Sequence, residues 1–240
     1  MTSHVPAVAI EIRTTRAPVP LPASPYVFPD PRQAGPDGLV AMGADLSPST
    51  IVAAYRHGMF PWPHGGEDLL WWSPDPRGVL FPEHIRVTRR LARTIRQGRF
   101  RVTLDADFER VIRSCSLRDE GTWITPGIVE AYVRLHRLGW AHSFEAWDEA
   151  GRLAGGLYGL HVGGMFGAES MFHVGRDASK VAMVAMAQHC ARVGIAIIDV
   201  QLLTPHLASM GCEELPREAY LDMLARVVDR AVSFDWHGPA

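Results

Sequence analysis

The stretch AHSFEAWDEAGRLAGGLYGLHVGGMFGAESMF, residues 141–172, contains three runs of apolar and strand-forming residues. The DEAGR segment between the first two runs is typical of a tight turn, so the stretch predicts a meander of three strands. A helix capped by Ser179 and ending at Gly194 follows, and then a buried strand within IAIIDVQLL, residues 195–203. A meander followed by a helix and one more strand predicts an α+β fold with a mostly antiparallel sheet flanked by helices.

The chain divides into two parts near residue 80. Residues 17–83 are rich in Pro and Gly and contain one predicted helix, which Ser47 caps and Gly58 ends. Further helix N-caps are predicted at Thr88, Asp105 and Thr125. We therefore predict a small N-terminal α/β domain over residues 1–80, with loops rich in Pro, Gly and Trp, and a larger domain over residues 81–240.

Composition excludes several classes of protein. The formal net charge of the 240 residues is −2, so any contact with nucleic acid has to be local. No apolar run approaches the roughly 18 residues of a membrane span, and the N-terminus lacks a secretory pattern, so we expect a cytoplasmic protein without a membrane partner. Cys115, Cys190 and Cys212 lie far apart in the sequence, which argues against a disulfide framework and a zinc site.

A basic stretch, RVTRRLARTIRQGRFR, begins the larger domain and has seven arginines in sixteen positions without an acidic residue. Arginine pairs with phosphate in a bidentate manner, so the stretch favours a patch that binds the phosphates of a nucleic acid. A solvated helix face in an arginine-biased sequence is the alternative. The proposed patch consists of Arg86, Arg89, Arg90, Arg93 and Arg96.

Tryptophans are concentrated in a Pro-rich segment, where Trp62, Trp71 and Trp72 lie within eleven positions. Trp123 directly precedes a predicted helix, where an aromatic ring and free N–H groups can hold a stacked base or an anion. Packing of Trp123 against the helix is the alternative. We interpret Trp71 and Trp72 as packing residues between the two domains.

Two apolar strands carry polar side chains. Glu169 lies among Met and Phe residues in GGMFGAESMF, where a carboxylate is costly unless it is paired. Asp199 and Gln201 share one face of the strand in IAIIDVQLL. This arrangement suits proton transfer or orientation of a neighbouring group, and a structural hydrogen bond is the alternative. Motifs of serine hydrolases, zinc proteases, P-loop proteins and Rossmann domains are missing from the sequence.

Five segments occur in the order GLVAMGADLSPSTIVAAYRHGMFPW, LLWWSPDPRGVL, EGTWITPGIVEAY, GAESMF and IIDVQ. Together they closely resemble the leucyl/phenylalanyl-tRNA-protein transferase family, from about Tyr26 to about Leu224. The resemblance implies a C-terminal domain like the Gcn5-related N-acetyltransferases. It also implies transfer of Leu, Phe or Met from aminoacyl-tRNA to proteins with N-terminal Arg or Lys, which marks them for N-degron degradation.

The resemblance also implies roles for individual residues. Asp199 draws a proton from the attacking amine electrostatically, Gln201 relays it or polarises the carbonyl, and Glu169 holds an amino group of one substrate. In an alternative, Asp199 and Gln201 only position the substrates, and the leaving ribose oxygen manages the proton. The cleft for the terminal adenosine and the peptide maps onto Tyr55, Trp62 and Trp123. The aminoacyl pocket maps onto Leu157, Phe166, Ala168, Met171, Ser179, Met183, Met186 and Ile198.

The implied reaction is aminolysis of an activated ester, so we expect no cofactor and no metal. We also expect a monomer. An acyl-CoA N-acetyltransferase is the principal alternative. It should carry an R/Q-x-x-G-x-G/A turn before the helix, which the HVGRDAS segment, residues 173–179, does not match. A non-catalytic aromatic-rich binding module is a third possibility, but it gives no reason for carboxylates in apolar strands.

Overall fold

The computed structural model describes residues 5–12, 16–63, 68–117 and 121–235. The strands are β1 (Ile10–Ile12), β2 (Leu39–Met42), β3 (Phe60–Pro61), β4 (Leu70–Trp72), β5 (Arg77–Leu80), β6 (Arg101–Leu104), β7 (Ala141–Trp147), β8 (Leu153–Val162), β9 (Met165–His173), β10 (Ile197–Gln201) and β11 (Glu213–Leu215). The helices are α1 (Pro48–Arg56), α2 (Arg89–Arg96), α3 (Phe108–Ser116), α4 (Pro126–Arg137), α5 (Ala178–Val193), α6 (Pro205–Ser209) and α7 (Arg217–Val227).

Eight strands form one large sheet in the order β1-β6-β7-β8-β9-β10-β5-β11. The predicted meander is confirmed as β7, β8 and β9, which pair antiparallel. β1 pairs parallel with β6, and β10 pairs parallel with β9, while the other neighbours are antiparallel. The mixed architecture with a mostly antiparallel sheet thus follows the prediction.

Helices cover both faces of this sheet, and successive residues of β8 show the two sides. Leu157 joins the core that contains residues of α2 and α5, whereas Tyr158 joins the core that contains residues of α1, α3, α4 and α7. All ten residues of β8 are buried, because neither face is left to solvent.

A second, three-stranded sheet, β2-β4-β3, lies in the N-terminal part of the chain. The division at residue 80 stays a prediction, and β1 and β5, which precede residue 81, pair within the large sheet. In the described part of the chain, no helix has the length and apolar character needed to cross a membrane.

Two predicted helix caps are wrong. Asp107, rather than Asp105, caps α3, since its side chain accepts a hydrogen bond from the Arg110 N–H. Asp105 instead has a φ of 60° and accepts a hydrogen bond from the backbone N–H of Ser143. Ser179 lies inside α5, whose N-cap is Asp177.

Two hairpin glycines give a test of packing at the ends of the meander. Gly163 (φ 58°) and Gly151 (φ 73°) both have left-handed backbones. A Cβ atom added to Gly163 would clash with the Val228 carbonyl oxygen, whereas one added to Gly151 would meet no atom within 4 Å. Both Ala substitutions cost about 1 kcal/mol of backbone strain, and Gly163→Ala should cost a further 1–3 kcal/mol or so from the clash. Urea unfolding of the two variants measures this difference, and equal losses of stability would contradict the close approach.

Candidate active site

A cavity opens where the parallel strands β9 and β10 separate. Their pairing runs through Ile198 with Phe166 and ends at Asp199 with Gly167. Gln201 then has a φ of 59° and pairs with β5 after a register shift. Beyond this point the two strands border a space of about 340 Å³, which we call the β9–β10 cavity. It is lined by Phe60, Pro61, Trp62, Trp123, Leu157, Ala168, Glu169, Ser170, Met171, Met183, Met186, Val200, Gln201, Leu202, Thr204, His206 and Leu207.

The cavity brings together part of the residue set that was predicted for an aminoacyl pocket. Five of its eight predicted residues line the cavity, namely Leu157, Ala168, Met171, Met183 and Met186. Phe166 and Ile198 are fully buried in the core, because both belong to the paired part of β9 and β10 that precedes the separation. Ser179 lines a neighbouring cavity instead.

Aromatic rings form another side of the cavity. Trp62 and Trp123 both line it, as the sequence led us to expect of a shared cleft. Trp72 donates a hydrogen bond from its indole N–H to the Trp62 carbonyl over 3.0 Å, so it braces the segment that carries Trp62. Trp71 is fully buried, and its N–H donates to the Gly43 carbonyl. Trp71 and Trp72 therefore fix the backbone that presents Trp62.

The Glu169 carboxyl is held at the base of the cavity by two tyrosines. The Tyr55 hydroxyl donates to it over 2.5 Å, and the hydroxyls of Tyr55 and Tyr132 lie 3.0 Å apart. Tyr55 is 1% exposed and lies behind Glu169, so it supports the cavity rather than lining it. Burial raises the pKa of Glu169 to about 8, and the nearby Asp199 charge adds to this rise. The carboxyl can therefore exchange a proton near neutral pH.

Asp199 is fully buried and does not line the cavity. Arg77, also fully buried, donates to its two oxygens from Nε over 2.8 Å and from Nη2 over 2.6 Å. The Tyr220 hydroxyl and the backbone N–H of Gln201 donate to the same carboxylate over 2.9 and 3.0 Å. With four donors on its oxygens, Asp199 has no surface for direct contact with a substrate, and it acts on its surroundings through Gln201.

Gln201 is the polar group that this network presents to the cavity. The Gln201 amide is satisfied when its nitrogen faces the two nearby carbonyl groups. In this orientation the nitrogen donates to the Ala168 carbonyl over 3.0 Å and to the Val200 carbonyl over 2.9 Å. The side-chain oxygen is then the end that can accept a hydrogen bond from a substrate. The amide also bridges the two strands at the point where they separate.

The five arginines of the predicted phosphate patch are all exposed, four of them on α2 and Arg86 just before it. Arg90 forms an ion pair of 2.9 Å with Asp177, at the start of α5. Arg90 therefore links the arginine patch on α2 to the start of α5, which lies near the β9–β10 cavity.

Sequence reasoning missed Arg77 and Tyr220, which hold Asp199. Arg77 stands in a strand whose other residues, Gly78, Val79 and Leu80, are apolar and buried. That pattern is the signal that could have identified it, because a buried arginine requires a carboxylate partner. Tyr220 gives no comparable signal, since a tyrosine on the apolar side of a helix is ordinary.

Comparisons with known proteins identify the family of this chain. The family model described as leucyl/phenylalanyl-tRNA protein transferase matches residues 79–225, and the model of its N-terminal domain matches residues 44–75. This chain belongs to the leucyl/phenylalanyl-tRNA-protein transferase family. It is therefore an aminoacyltransferase.

Relatives of that name match most of the chain. One from Anaeromyxobacter sp. (strain Fw109-5) is 55% identical over 207 residues, which cover 85% of this chain and 88% of the relative. One from Pseudomonas fluorescens (strain Pf0-1) is 48% identical over 204 residues, covering 84% and 90%. One solved structure that matches is that of L-PGS from Bacillus licheniformis, with 11% sequence identity and a TM-score of 0.36. The match covers 56% of this chain and 50% of that one. This similarity is too distant to define a fold family.

The buried ion pair predicts a large loss of stability when one partner is removed. Arg77→Met leaves Asp199 buried without its counter-charge, so we expect about 3–5 kcal/mol of destabilisation. The matched control is Arg113→Met, because Arg113 pairs with Glu109 on an exposed helix surface, where a pair is worth roughly 0–1 kcal/mol. Urea unfolding measures both, and a loss below about 1 kcal/mol for Arg77→Met would rule out the pair as a structural element.

The raised pKa of Glu169 predicts a pH-dependent stability. Between the ordinary carboxyl pKa of 4.5 and about 8, the folded protein keeps a proton that the unfolded chain has released. The contribution of protonated Glu169 to the free energy of unfolding is complete below pH 4.5 and is lost as the pH rises through about 8. Because Glu169 is only half-buried, cavity water limits the effect to roughly 1–3 kcal/mol.

Glu169→Gln should remove this contribution. Its free energy of unfolding relative to that of the original chain should rise between pH 5 and pH 8, in parallel urea titrations. A constant difference across that range would show that Glu169 titrates normally.

Proposed function

We propose that this chain transfers Leu, Phe or Met from aminoacyl-tRNA to the α-amino group of proteins that begin with Arg or Lys. One observation carries the proposal: a methionine-lined recess and a tryptophan wall share a single cavity, which Gln201 and Glu169 also line. The recess suits apolar side chains that are not branched at Cβ, such as those of Leu, Phe and Met, since methionine adapts to different apolar shapes. The product carries an N-terminal residue that marks the acceptor for N-degron degradation.

The tryptophans provide the place for the end of the RNA. Stacking of a base on an aromatic side chain is worth roughly 1–3 kcal/mol and requires no contact with base edges. Trp62 and Trp123 would hold the terminal adenosine, while the ester-linked amino acid enters the recess beside Met183 and Met186. The aminoacyl carbonyl then lies near the junction of the two regions, where Gln201 is placed.

In the reaction the acceptor α-amine forms a bond to the aminoacyl carbonyl carbon, and the bond to the ribose oxygen breaks. The acceptor ammonium first releases one proton to solvent, because only the neutral amine can attack. The Gln201 oxygen accepts a hydrogen bond from the attacking amine, and a second proton, which leaves the nitrogen as the amide forms, passes to the departing ribose oxygen. Asp199 acts through the backbone of Gln201, which agrees with the alternative in which these two residues position the substrates. Proximity of the two bound ends supplies several kcal/mol of the acceleration.

Glu169 provides an anionic partner for an amino group of one substrate. A bound ammonium favours the ionised carboxylate and lowers its pKa, so binding should be accompanied by release of a proton near neutral pH. The tyrosines behind Glu169 keep its carboxyl directed at the cavity.

Several finer expectations belong to the same proposal. The parallel pair β9 and β10, which separates to form the cavity, supports the expected acetyltransferase-like fold of the larger domain. The expected domain boundary at residue 80, a monomeric state and a cytoplasmic location remain predictions. A cytoplasmic location agrees with the supply of aminoacyl-tRNA in that compartment.

A transfer assay tests the proposal against an acyl-CoA-dependent acetyltransferase. The protein is incubated with a peptide beginning in Arg and either radiolabelled Leu-tRNA or labelled acetyl-CoA, and acid-stable label on the peptide is measured. We expect label from Leu-tRNA alone, and a peptide beginning in Glu should remain unlabelled. Label from acetyl-CoA alone would replace the proposed function with the alternative.

Gln201→Ala is the sharpest test of the chemistry, because it leaves the Arg77–Asp199 pair in place. We expect a drop in kcat of about 10- to 100-fold, as for loss of one hydrogen bond to the reacting groups. The KM for aminoacyl-tRNA should change little. Gln33→Ala, at an exposed glutamine outside the cavity, is the matched control and should retain kcat. An unchanged kcat in Gln201→Ala would assign Gln201 a purely structural role.

A further inference from the structure

A second, more open cavity lies beside the β9–β10 cavity and has a volume of about 820 Å³. Met171 and His206 line both spaces, so the two adjoin. We call the second one the basic basin. It is lined by Arg90, Met171, His173, Val174, Arg176, Asp177, Ser179, Lys180 and His206.

The basic basin carries positive charge although the whole chain is acidic. Arg90, Arg176 and Lys180 contribute three cations, and Asp177 is the single carboxylate in its wall, which leaves two positive charges in excess with the histidines neutral. Asp177 lies 2.9 Å from Arg90 and 3.8 Å from Lys180. Within the described ranges, Arg176 forms no ion pair, and its side chain is exposed. The basin therefore offers cationic groups to an anionic ligand.

Two further observations agree with a positive field here. The sixteen-residue helix α5 starts in the wall of the basin, and Asp177 at its N-cap makes no side-chain hydrogen bond to the helix. The amino end of a helix adds partial positive charge. In addition, the pKa of His206 is lowered, first by desolvation and then by the charges of Lys180 and His173. His206 stands at the wall that the two cavities share.

The basin also lies on a continuous route. The basin adjoins the β9–β10 cavity on one side. On another side it is lined by Arg90, which lies on α2 together with the other exposed arginines of that helix. Because the two cavities adjoin at Met171 and His206, a nucleic acid strand whose terminal nucleoside occupies the β9–β10 cavity can continue into this electropositive space. Lys180 and Arg176 line the space that its next phosphodiester groups would enter.

We propose that the basic basin binds the phosphodiester groups directly preceding the terminal adenosine of the aminoacyl-tRNA, and that Lys180 and Arg176 are the residues that contact them. This inference rests on the proposed function. Lysine serves as a point charge for phosphate, and arginine adds paired hydrogen bonds. The basin thereby joins the reacting end of the RNA to the phosphate patch of α2.

Kinetics with two substrates test the proposal. One substrate is Phe-tRNA, and the other is adenosine esterified with Phe at its 3′ oxygen, which has no phosphate. Lys180→Gln and Arg176→Gln should each raise the KM for Phe-tRNA about tenfold, as expected for loss of one charge-assisted contact. Each should also reduce the salt slope of log KM by about 0.7, the value for one single-strand phosphate contact. Their kcat/KM for the phosphate-free ester should stay that of the original chain.

Matched variants separate charge from structure. Lys180→Arg retains the charge and should restore most of the affinity for Phe-tRNA. Arg226→Gln, an exposed position on α7, should leave both substrates unaffected. An equal loss on both substrates, or no loss on either, would overturn the proposal. If the original chain transfers Phe from neither substrate, the proposed function itself has failed.

The sequence allows a direct test of occupancy, because Lys180 is the only lysine in the chain. Acetylation with an N-hydroxysuccinimide ester, read by peptide mass spectrometry, reports on Lys180 and the N-terminal amine separately. The probe is the trinucleotide CCA carrying Phe on a 3′-amino group, which cannot be hydrolysed. We expect it to slow acetylation of Lys180 at least about fivefold, while the corresponding adenosine derivative without phosphates gives no protection.

Two results of this footprint would contradict the basin as an RNA site. The first is a trinucleotide that inhibits transfer, and so binds, without protecting Lys180. The second is protection by coenzyme A but not by the trinucleotide or by tRNA, which would assign the basin to a nucleotide cofactor. Failure of the trinucleotide to inhibit, in a protein that is active on Phe-tRNA, would also count against it.

Discussion

The buried ion pair between Arg77 and Asp199 holds the point at which the large sheet divides. Asp199 is the last residue of β10 that pairs with β9, and Arg77 begins the neighbouring strand β5. Arg77 also donates to the Gly58 carbonyl at the end of α1 and lies over the rings of Phe60 and Tyr220. A single guanidinium thus connects the small sheet, the large sheet and α7, and its pairing with Asp199 compensates the burial of its charge.

The same pair determines which polar group faces the β9–β10 cavity. A carboxylate with four donors is stable in a dry environment but unavailable for direct contact. By accepting the Gln201 N–H, Asp199 stabilises the left-handed backbone that turns Gln201 toward the cavity. Glu169, in contrast, accepts a hydrogen bond from Tyr55 and forms no ion pair with any described residue, and burial raises its pKa to about 8. Two carboxylates of one site therefore differ in proton affinity because their surroundings differ.

Positive charge is concentrated on one part of the surface, although the net charge of the chain is slightly negative. The chain as a whole has a formal charge of −2, yet the arginines of α2 and the basic basin form a positive surface that ends at an apolar recess. Such a surface steers a polyanion by local attraction, and the recess then selects the uncharged group at its end. The basic basin adjoins the β9–β10 cavity at Met171 and His206, so the positive surface and the apolar recess share a wall.

The amino-acid sequence by itself determined the meander, the helix that follows it, the isolated carboxylates in apolar strands and the arginine-rich helix. These features depend on local periodicity, capping residues and composition, which can be observed along the chain. Motif order likewise pointed to the family. Two cap positions were misjudged, because Asp105 and Ser179 have local patterns similar to those of true caps and only their long-range contacts distinguish them.

Only the tertiary structure decided which residues share a cavity. Phe166 and Ile198 belong to apolar strands like their cavity-lining neighbours, but they precede the separation of β9 and β10 and are therefore packed in the core. Arg77 and Asp199 are 122 residues apart in the chain, and no local pattern pairs them. The basic basin similarly combines α2 with the start of α5, so its charge arises from segments that are neighbours only after folding.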